Sequence, residues 1–157
     1  MAYDFGAMET YDAVVVGGGP AGATAAETLA RKGHRVLLLD KPGRIKPCGG
    51  AVPPRLISDF QIPESQIVAR ANTARMVSPK GRRVDMPING GTVGMVDREH
   101  FDEWLRNRAM MAGAERQDAE FLAIERESDG QAIVVYRPSC GGKNEPSERV
   151  RARPNIR

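Results

Sequence analysis

Four residues near the start of the chain have the types and spacing to hold a phosphate and a sugar. They are Gly17, Gly19 and Gly22 in the run VVVGGGPAGATAAETLARKG, and Asp40, 23 residues after Gly17. In a G-x-G-x-x-G turn the first glycine permits a sharp reversal, the second lets a pyrophosphate approach the backbone, and the third lets the helix lie close against the strand. The helix start then offers unpaired N–H groups and the positive end of its dipole to the phosphates. An acid closing the next strand accepts hydrogen bonds from ribose hydroxyls and repels a 2′-phosphate. The set therefore suits FAD or NAD and disfavours NADP. The plain alternative is a tight turn followed by a strand-ending acid.

The flanking residues supply the elements this chemistry requires. YDAVVV (Tyr11–Val16) is apolar and β-branched, as a buried parallel strand should be. PAGATAAETLARKG is rich in helix formers and stops at Gly33. HRVLLLD (His34–Asp40) reads as a second buried strand. Strand, glycine turn, helix and strand within about 30 residues make a βαβ unit.

Beyond Asp40 no further βα repeat follows, which favours FAD over NAD. KPGRIKPCGGAVPP (Lys41–Pro54) is broken up by Gly and Pro and reads as a loop. RLISDF suits a short helix. ANTARMVSP and GRRVDMPI read as strands joined near Pro79–Gly81, and GGTVGMV as another. Asp97 can cap a helix from Arg98. In that helix Phe101, Trp104, Leu105 and Ala112 share a face, and Gly113 ends it. EFLAIERE and QAIVVYR flank a hairpin turn at Ser128–Gly130. From Pro138 onward breakers dominate and the reading is loop or disorder. The organisation expected is thus a leader over 1–10, a nucleotide-binding domain over 11–137 and an irregular tail over 138–157.

Composition narrows the class. A chain of 157 residues, 41% apolar and 27% charged, is globular. Its net charge of +3 falls entirely within residues 138–157. There is no basic stripe with interleaved aromatics, so nucleic acid is not an expected partner. Two cysteines, Cys48 and Cys140, and two histidines, His34 and His100, give no zinc spacing. No apolar run is long enough to span a bilayer, and the acidic start lacks a signal-peptide n-region. A cytoplasmic location is expected.

Three stretches carry a family resemblance: YDAVVVGGGPAGATAAETLARKGHRVLLLDK, GRIKPCGGAVPPRLI and ARMVSPKGRRVDMPINGGTVGMVDREHFDEWLRNRAMMAGAE. Together they resemble the geranylgeranyl reductases of chlorophyll and bacteriochlorophyll synthesis, within the larger flavoprotein group of para-hydroxybenzoate hydroxylase. The resemblance implies an α/β fold: a Rossmann-like FAD-binding βαβ unit with added antiparallel strands, an incomplete glutathione-reductase-type, para-hydroxybenzoate-hydroxylase-like flavoprotein fold in which residues 11–137 are an incomplete FAD-binding domain. It implies FAD at the glycine turn and NADPH as a reductant bound elsewhere. The implied substrate is an isoprenoid, geranylgeranyl diphosphate or geranylgeranyl-(bacterio)chlorophyll, reduced to phytyl, with peripheral contact to the photosynthetic membrane.

By matching motif, the resemblance puts Gly17, Gly19, Ala21 and Gly22 near the pyrophosphate and Asp40 on the adenosine ribose. Cys48, Gly49 and Ala51 would line the flavin side, with Cys48 a candidate for catalysis or gating or else an inert buried thiol. Arg98 would contact the cofactor. Arg44 and Lys46 have the charge to meet a phosphate, although loop charges are ordinarily solvated. Phe101, Trp104 and Leu105 read as core, and His100 as helix surface. The family's chain is much longer: RVRARPNIR begins like its next strand and stops, so a truncated or frameshifted fragment, weak or inactive alone, is expected. A flavin hydroxylase and a non-catalytic nucleotide-binding remnant are the alternatives.

Overall fold

The structure, a computed structural model, describes residues 8–43, 47–139 and 146–153. The chain divides into two compact units. One comprises Met1–Arg44 and Asp102–Arg157, and the other Ile45–Phe101.

The first unit is built on the expected βαβ. Strand β2 (Ala13–Val16) leads into helix α1 (Pro20–Arg31), which returns to β3 (Val36–Asp40). β2 and β3 pair in parallel, Ala13 opposite Val36 through Val16 opposite Leu39. Val36, Leu37, Leu38 and Leu39 are all buried, which is why this strand reads as an unbroken apolar run. One side of it packs against α1: Val36 and Leu38 share a cluster with Ala26, Ala30, Ala109 and Ala114. The other side, Leu37 and Leu39, shares a cluster with Tyr11, Ala119, Val134, Tyr136 and Val150. Alternate side chains thus serve two cores.

Helix α3 (Arg98–Met111) ends at Gly113, whose φ of +106° suits a residue without a side chain. The long β9 (Glu115–Arg126) follows. Its first residues run parallel to β3, Leu37 opposite Glu115 and Asp40 opposite Asp118. Its remainder turns back antiparallel with β10 (Ala132–Pro138), across the hairpin read at Ser128–Gly130. One strand therefore joins the parallel layer to the antiparallel one. The sheet is completed by β11 (Glu148–Ala152) and β1 (Thr10–Tyr11), giving the order β1-β11-β10-β9-β3-β2.

Expectations for both ends of the chain are corrected. Residues 148–152 lie in the stretch read as an irregular tail, yet they form a strand between β10 and β1. Val150 alone is buried in it, and three arginines reach acids on neighbouring segments: Arg149 to Glu125, Arg151 to Glu127 and Arg153 to Asp12. Cross-strand charge pairing and a backbone ladder replace the apolar periodicity that would have signalled a strand. The same pairs show that the positive surplus of this stretch is matched by acids across the fold. Likewise Tyr11 does not continue into β2. Asp12 bends the chain, its Oδ2 accepting the Arg35 backbone N–H at 2.8 Å, and Tyr11 pairs with Ala152 instead. Thr10, read as leader, belongs to that strand as well.

The second unit holds β4 (Ala51–Val52), α2 (Pro54–Asp59), β5 (Ala69–Ala71), β6 (Thr73–Val77), β7 (Arg83–Pro87) and β8 (Val93–Met95). β8 is central, flanked antiparallel by β4 and β5. β6 and β7 make the expected hairpin. The loop read over Lys41–Pro54 contains β4, a correction explained by pairing: Ala51 and Val52 are extended because β8 supplies their partners, Met95 and Gly94.

Candidate functional site

The three motif glycines have three different surroundings. Gly17 sits at φ +102° as the chain leaves β2, and its N–H donates to the Leu39 carbonyl at 2.7 Å. A Cβ on Gly22 would meet the Gly17 carbonyl oxygen at 1.8 Å, so helix and turn touch backbone to backbone. A Cβ on Gly19 would meet nothing within 4 Å. Gly19 is also the N-cap of α1, with extended backbone, no side-chain cap and no acid in the first turn. Pro20 at the first helical position lacks an N–H in any case. The first intrahelical bond runs from the Ala23 N–H to the Gly19 carbonyl at 2.9 Å, so the N–H groups of Ala21 and Gly22 are left for an outside acceptor, and the space over Gly19 admits one.

Asp40 ends β3 beside this turn. Both parallel strands present their carboxyl ends here, the edge at which open α/β sheets bind ligands. The side chain of Asp40 is 21% exposed and that of Arg106 16%. Nη1 of Arg106 donates to Asp40 Oδ2 at 2.9 Å and to the Gly18 carbonyl at 3.2 Å. Arg106 is also held by Glu103, three residues back on α3, and Glu103 by Arg116 of β9. These two guanidiniums, Arg116 foremost, hold the Glu103 carboxyl below its usual range. The second oxygen of Asp40 keeps its acceptor capacity for a sugar hydroxyl.

Sequence reasoning missed Gly18 and Arg106. Gly18 is buried, and a Cβ there would stand 2.7 Å from Asp40 Oδ2 and 2.8 Å from Cδ of Arg106. The signal for Gly18 was present, because GGG is one glycine more than the motif needs. Arg106 gave no signal, since an arginine within a charged helix reads as surface.

The remaining expected residues lie on the second unit. Cys48 and Gly49 are exposed, which sets aside the buried-thiol reading of Cys48. Between them and β4, Gly50 takes φ +68°, and a Cβ there would strike the Val96 carbonyl oxygen at 2.0 Å. Ala51 opens β4 opposite Met95. Arg98 is half-buried at the first position of α3. Asp97 caps that helix, its Oδ1 accepting the Glu99 N–H at 3.0 Å and its Oδ2 lying 3.1 Å from Nδ1 of His100. His100 is on the helix surface, with 79% of its side chain exposed. The structure thus gathers Gly17, Gly18, Gly19, Gly22, Asp40 and Arg106 in one unit, and Cys48, Gly49, Ala51 and Arg98 in the other. Arg44, Lys46 and Cys140 lie outside the described residues. Among the described residues no helix is long and apolar enough to cross a membrane.

Residues 11–131 match the model of the pyridine nucleotide-disulphide oxidoreductase family. Over 138 residues the chain is 60% identical to the geranylgeranyl diphosphate reductase of Rhodobacter capsulatus, covering 88% of this chain and 35% of that protein. It is 42% identical to the chloroplastic geranylgeranyl diphosphate reductase of Oryza sativa, covering 78% of this chain and 28% of that one. The chain therefore spans about a third of the length of the curated relatives it matches.

Among solved structures it is similar to a geranylgeranyl bacteriochlorophyll reductase-like protein of Thermoplasma acidophilum, with a TM-score of 0.76 and 28% identity over 92% of this chain and 38% of that chain. The myxobacterial chondrochloren halogenase, an FAD-dependent halogenase, superposes with a TM-score of 0.74 at 21% identity, over 92% of this chain and 36% of that chain; this shows a shared fold. The glycine turn, the acid that closes β3 and the family match over residues 11–131 agree: the chain belongs to the pyridine nucleotide-disulphide oxidoreductase family, with geranylgeranyl diphosphate reductases among its homologues.

Proposed function

We propose that this chain holds the adenosine and pyrophosphate of FAD, and that the whole protein is an FAD-dependent reductase that hydrogenates geranylgeranyl double bonds to phytyl with NADPH as reductant. The observation that carries the reading is the 60% identity to a geranylgeranyl diphosphate reductase across nearly all of this chain. The site fits the cofactor. Gly17, Gly19, Ala21 and Gly22 form a turn with open space over Gly19 and an uncapped helix start for the two phosphates. Asp40 keeps an oxygen for the ribose. In this reading Cys48, Gly49, Ala51 and Arg98 serve the flavin end.

When bound, FAD supplies the hydride-carrying centre. The chain's own contribution is electrostatic and geometric. Backbone N–H groups and the dipole of α1 neutralise the pyrophosphate. Asp40, fixed by Arg106, orients the sugar. Holding a donor rigidly near its acceptor lowers the entropic part of the barrier. The isoprenoid substrate, carried on diphosphate or on (bacterio)chlorophyll, brings the whole protein to the face of the photosynthetic membrane.

Flavin uptake by the purified chain, followed by visible absorbance after dialysis against FAD, tests the first half. A colourless protein would overturn it. For the second half, the whole protein is supplied with NADPH and geranylgeranyl diphosphate, and products are read by mass. Successive additions of dihydrogen are expected. Unreduced isoprenoid, together with oxygen uptake and a hydroxylated product when an aromatic substrate is supplied in parallel, would overturn the reductase reading in favour of a hydroxylase.

A further inference from the structure

We infer that Arg106 is a latent ligand for a 2′-phosphate, kept occupied by Asp40, so that the pair and not the acid alone sets which adenine ribose this site accepts. The inference rests on the dinucleotide reading above.

An acid at the end of the second strand is ordinarily credited with repelling a 2′-phosphate. Here that charge is matched. Asp40 faces a guanidinium at 2.9 Å, and both side chains are largely withdrawn from water. Seen by an approaching phosphate, the two charges nearly cancel. What remains is short-range: the acid accepts hydrogen bonds from hydroxyls and has none to give a phosphate.

Arg106 would not swing away if Asp40 were shortened. Nε donates to Glu103 Oε2 at 3.0 Å, and Nη2 stands 3.0 Å from the same oxygen. Nη1 is additionally tied to the Gly18 carbonyl at 3.2 Å. Glu103 is itself engaged by Arg116 at 2.6 Å, so its charge is shared between two cations. Removing the Asp40 carboxylate therefore leaves a fixed guanidinium with an Nη1–H directed into the vacated volume, beside the sugar position. A planar guanidinium so held matches phosphate geometry.

Adenosine 5′-monophosphate and adenosine 2′,5′-bisphosphate differ only in the 2′-phosphate, and calorimetric titration of each into the chain reads the preference directly. The native chain should favour the monophosphate. Asp40→Ser should shift the ratio toward the bisphosphate by about tenfold or more, the scale of one charge-assisted contact. Adding Arg106→Gln to Asp40→Ser should abolish the shift, and adding Arg106→Lys should retain part of it. Asp40→Asn, which keeps the side-chain volume, is measured alongside, and far-UV circular dichroism identifies which variants are folded. A shift that survives Arg106→Gln would overturn the inference, as would its absence in a folded Asp40 variant. A native chain that binds neither nucleotide would instead overturn the dinucleotide reading beneath it.

Discussion

Gly18 and Asp40 pack so closely that a single added carbon on Gly18 would lie 2.7 Å from the carboxylate oxygen that Arg106 holds. The glycine between the motif's first and second positions thus keeps Asp40 in place. Gly18→Ala should push the Asp40 carboxylate and the Arg106 stem out of the arrangement that Glu103 and the Gly18 carbonyl hold, displacing side chains rather than backbone. FAD affinity should fall about tenfold, as expected for one charge-assisted hydrogen bond, while the thermal midpoint changes little. Fluorescence titration with FAD and a melt of the same sample check both halves. Unchanged affinity would mean that Asp40 does not grip the sugar.

Gly19 and Gly22 should fail in opposite ways. Gly22→Ala drives a Cβ to 1.8 Å from a backbone oxygen, so turn and helix must part. The cost is about 2–3 kcal/mol in the protein without ligand, the upper range for overpacking. Gly19 has extended backbone (φ −73°) and open space, so Gly19→Ala should fold as well as the native chain. Its methyl group would occupy the approach of the pyrophosphate, and FAD binding should be lost. Equal melting losses in the two variants would contradict this division of roles.

Glu27 of α1 is buried, its side chain 6% exposed, with Arg108 of α3 donating to it from Nε at 3.2 Å and Nη2 at 2.9 Å. Arg31 joins from the solvent side. Removing one partner of a buried pair strands the other, whereas replacing the buried acid with an apolar residue need not. Because Arg31 still reaches Glu27, Arg108→Leu should destabilise by less than the about 3–5 kcal/mol of a fully unpaired buried charge. Glu27→Leu should cost less, because Arg108 can still lie over the Trp104 ring and reach water. Urea denaturation of both variants gives the order, and the reverse order would show that the pair does not pin the two helices.

Acid should unfold the protein through specific carboxylates. Glu115 is held below its usual range by the Tyr11 hydroxyl and by Arg35, and Glu103 by Arg116 and Arg106. Because their folded-state pKa values are depressed, they contribute stability that is complete above the unfolded value, near about 4.3 for glutamate. That contribution is lost as pH falls through the lower folded values. The melting temperature should be flat from neutrality to about pH 5 and decline below about pH 4. Glu115→Gln should lower the neutral plateau and make the decline shallower. A decline of native slope in that variant would remove Glu115 from the account.

The sequence by itself determined the local part of this protein. A β-branched run, a glycine turn, an alanine-rich helix and a second apolar run fix the βαβ unit, because each is set by near neighbours: φ of Gly17, Ala26 and Ala30 packed on Val36 and Leu38, β2 paired with β3. The same residues placed the glycine turn and Asp40 at one end of the sheet. Tertiary structure decided what depends on partners distant in sequence. Residues 148–152 hold one buried apolar side chain and become a strand only because β10 and β1 offer backbone partners and Glu125, Glu127 and Asp12 offer charges. Ala51 and Val52 are extended only because β8 is beside them. Arg106, 66 residues from Asp40, looks like any helix arginine until the fold brings its guanidinium against that carboxylate. Propensity and periodicity are properties of neighbouring residues, while a strand pairing or an ion pair belongs to two segments at once.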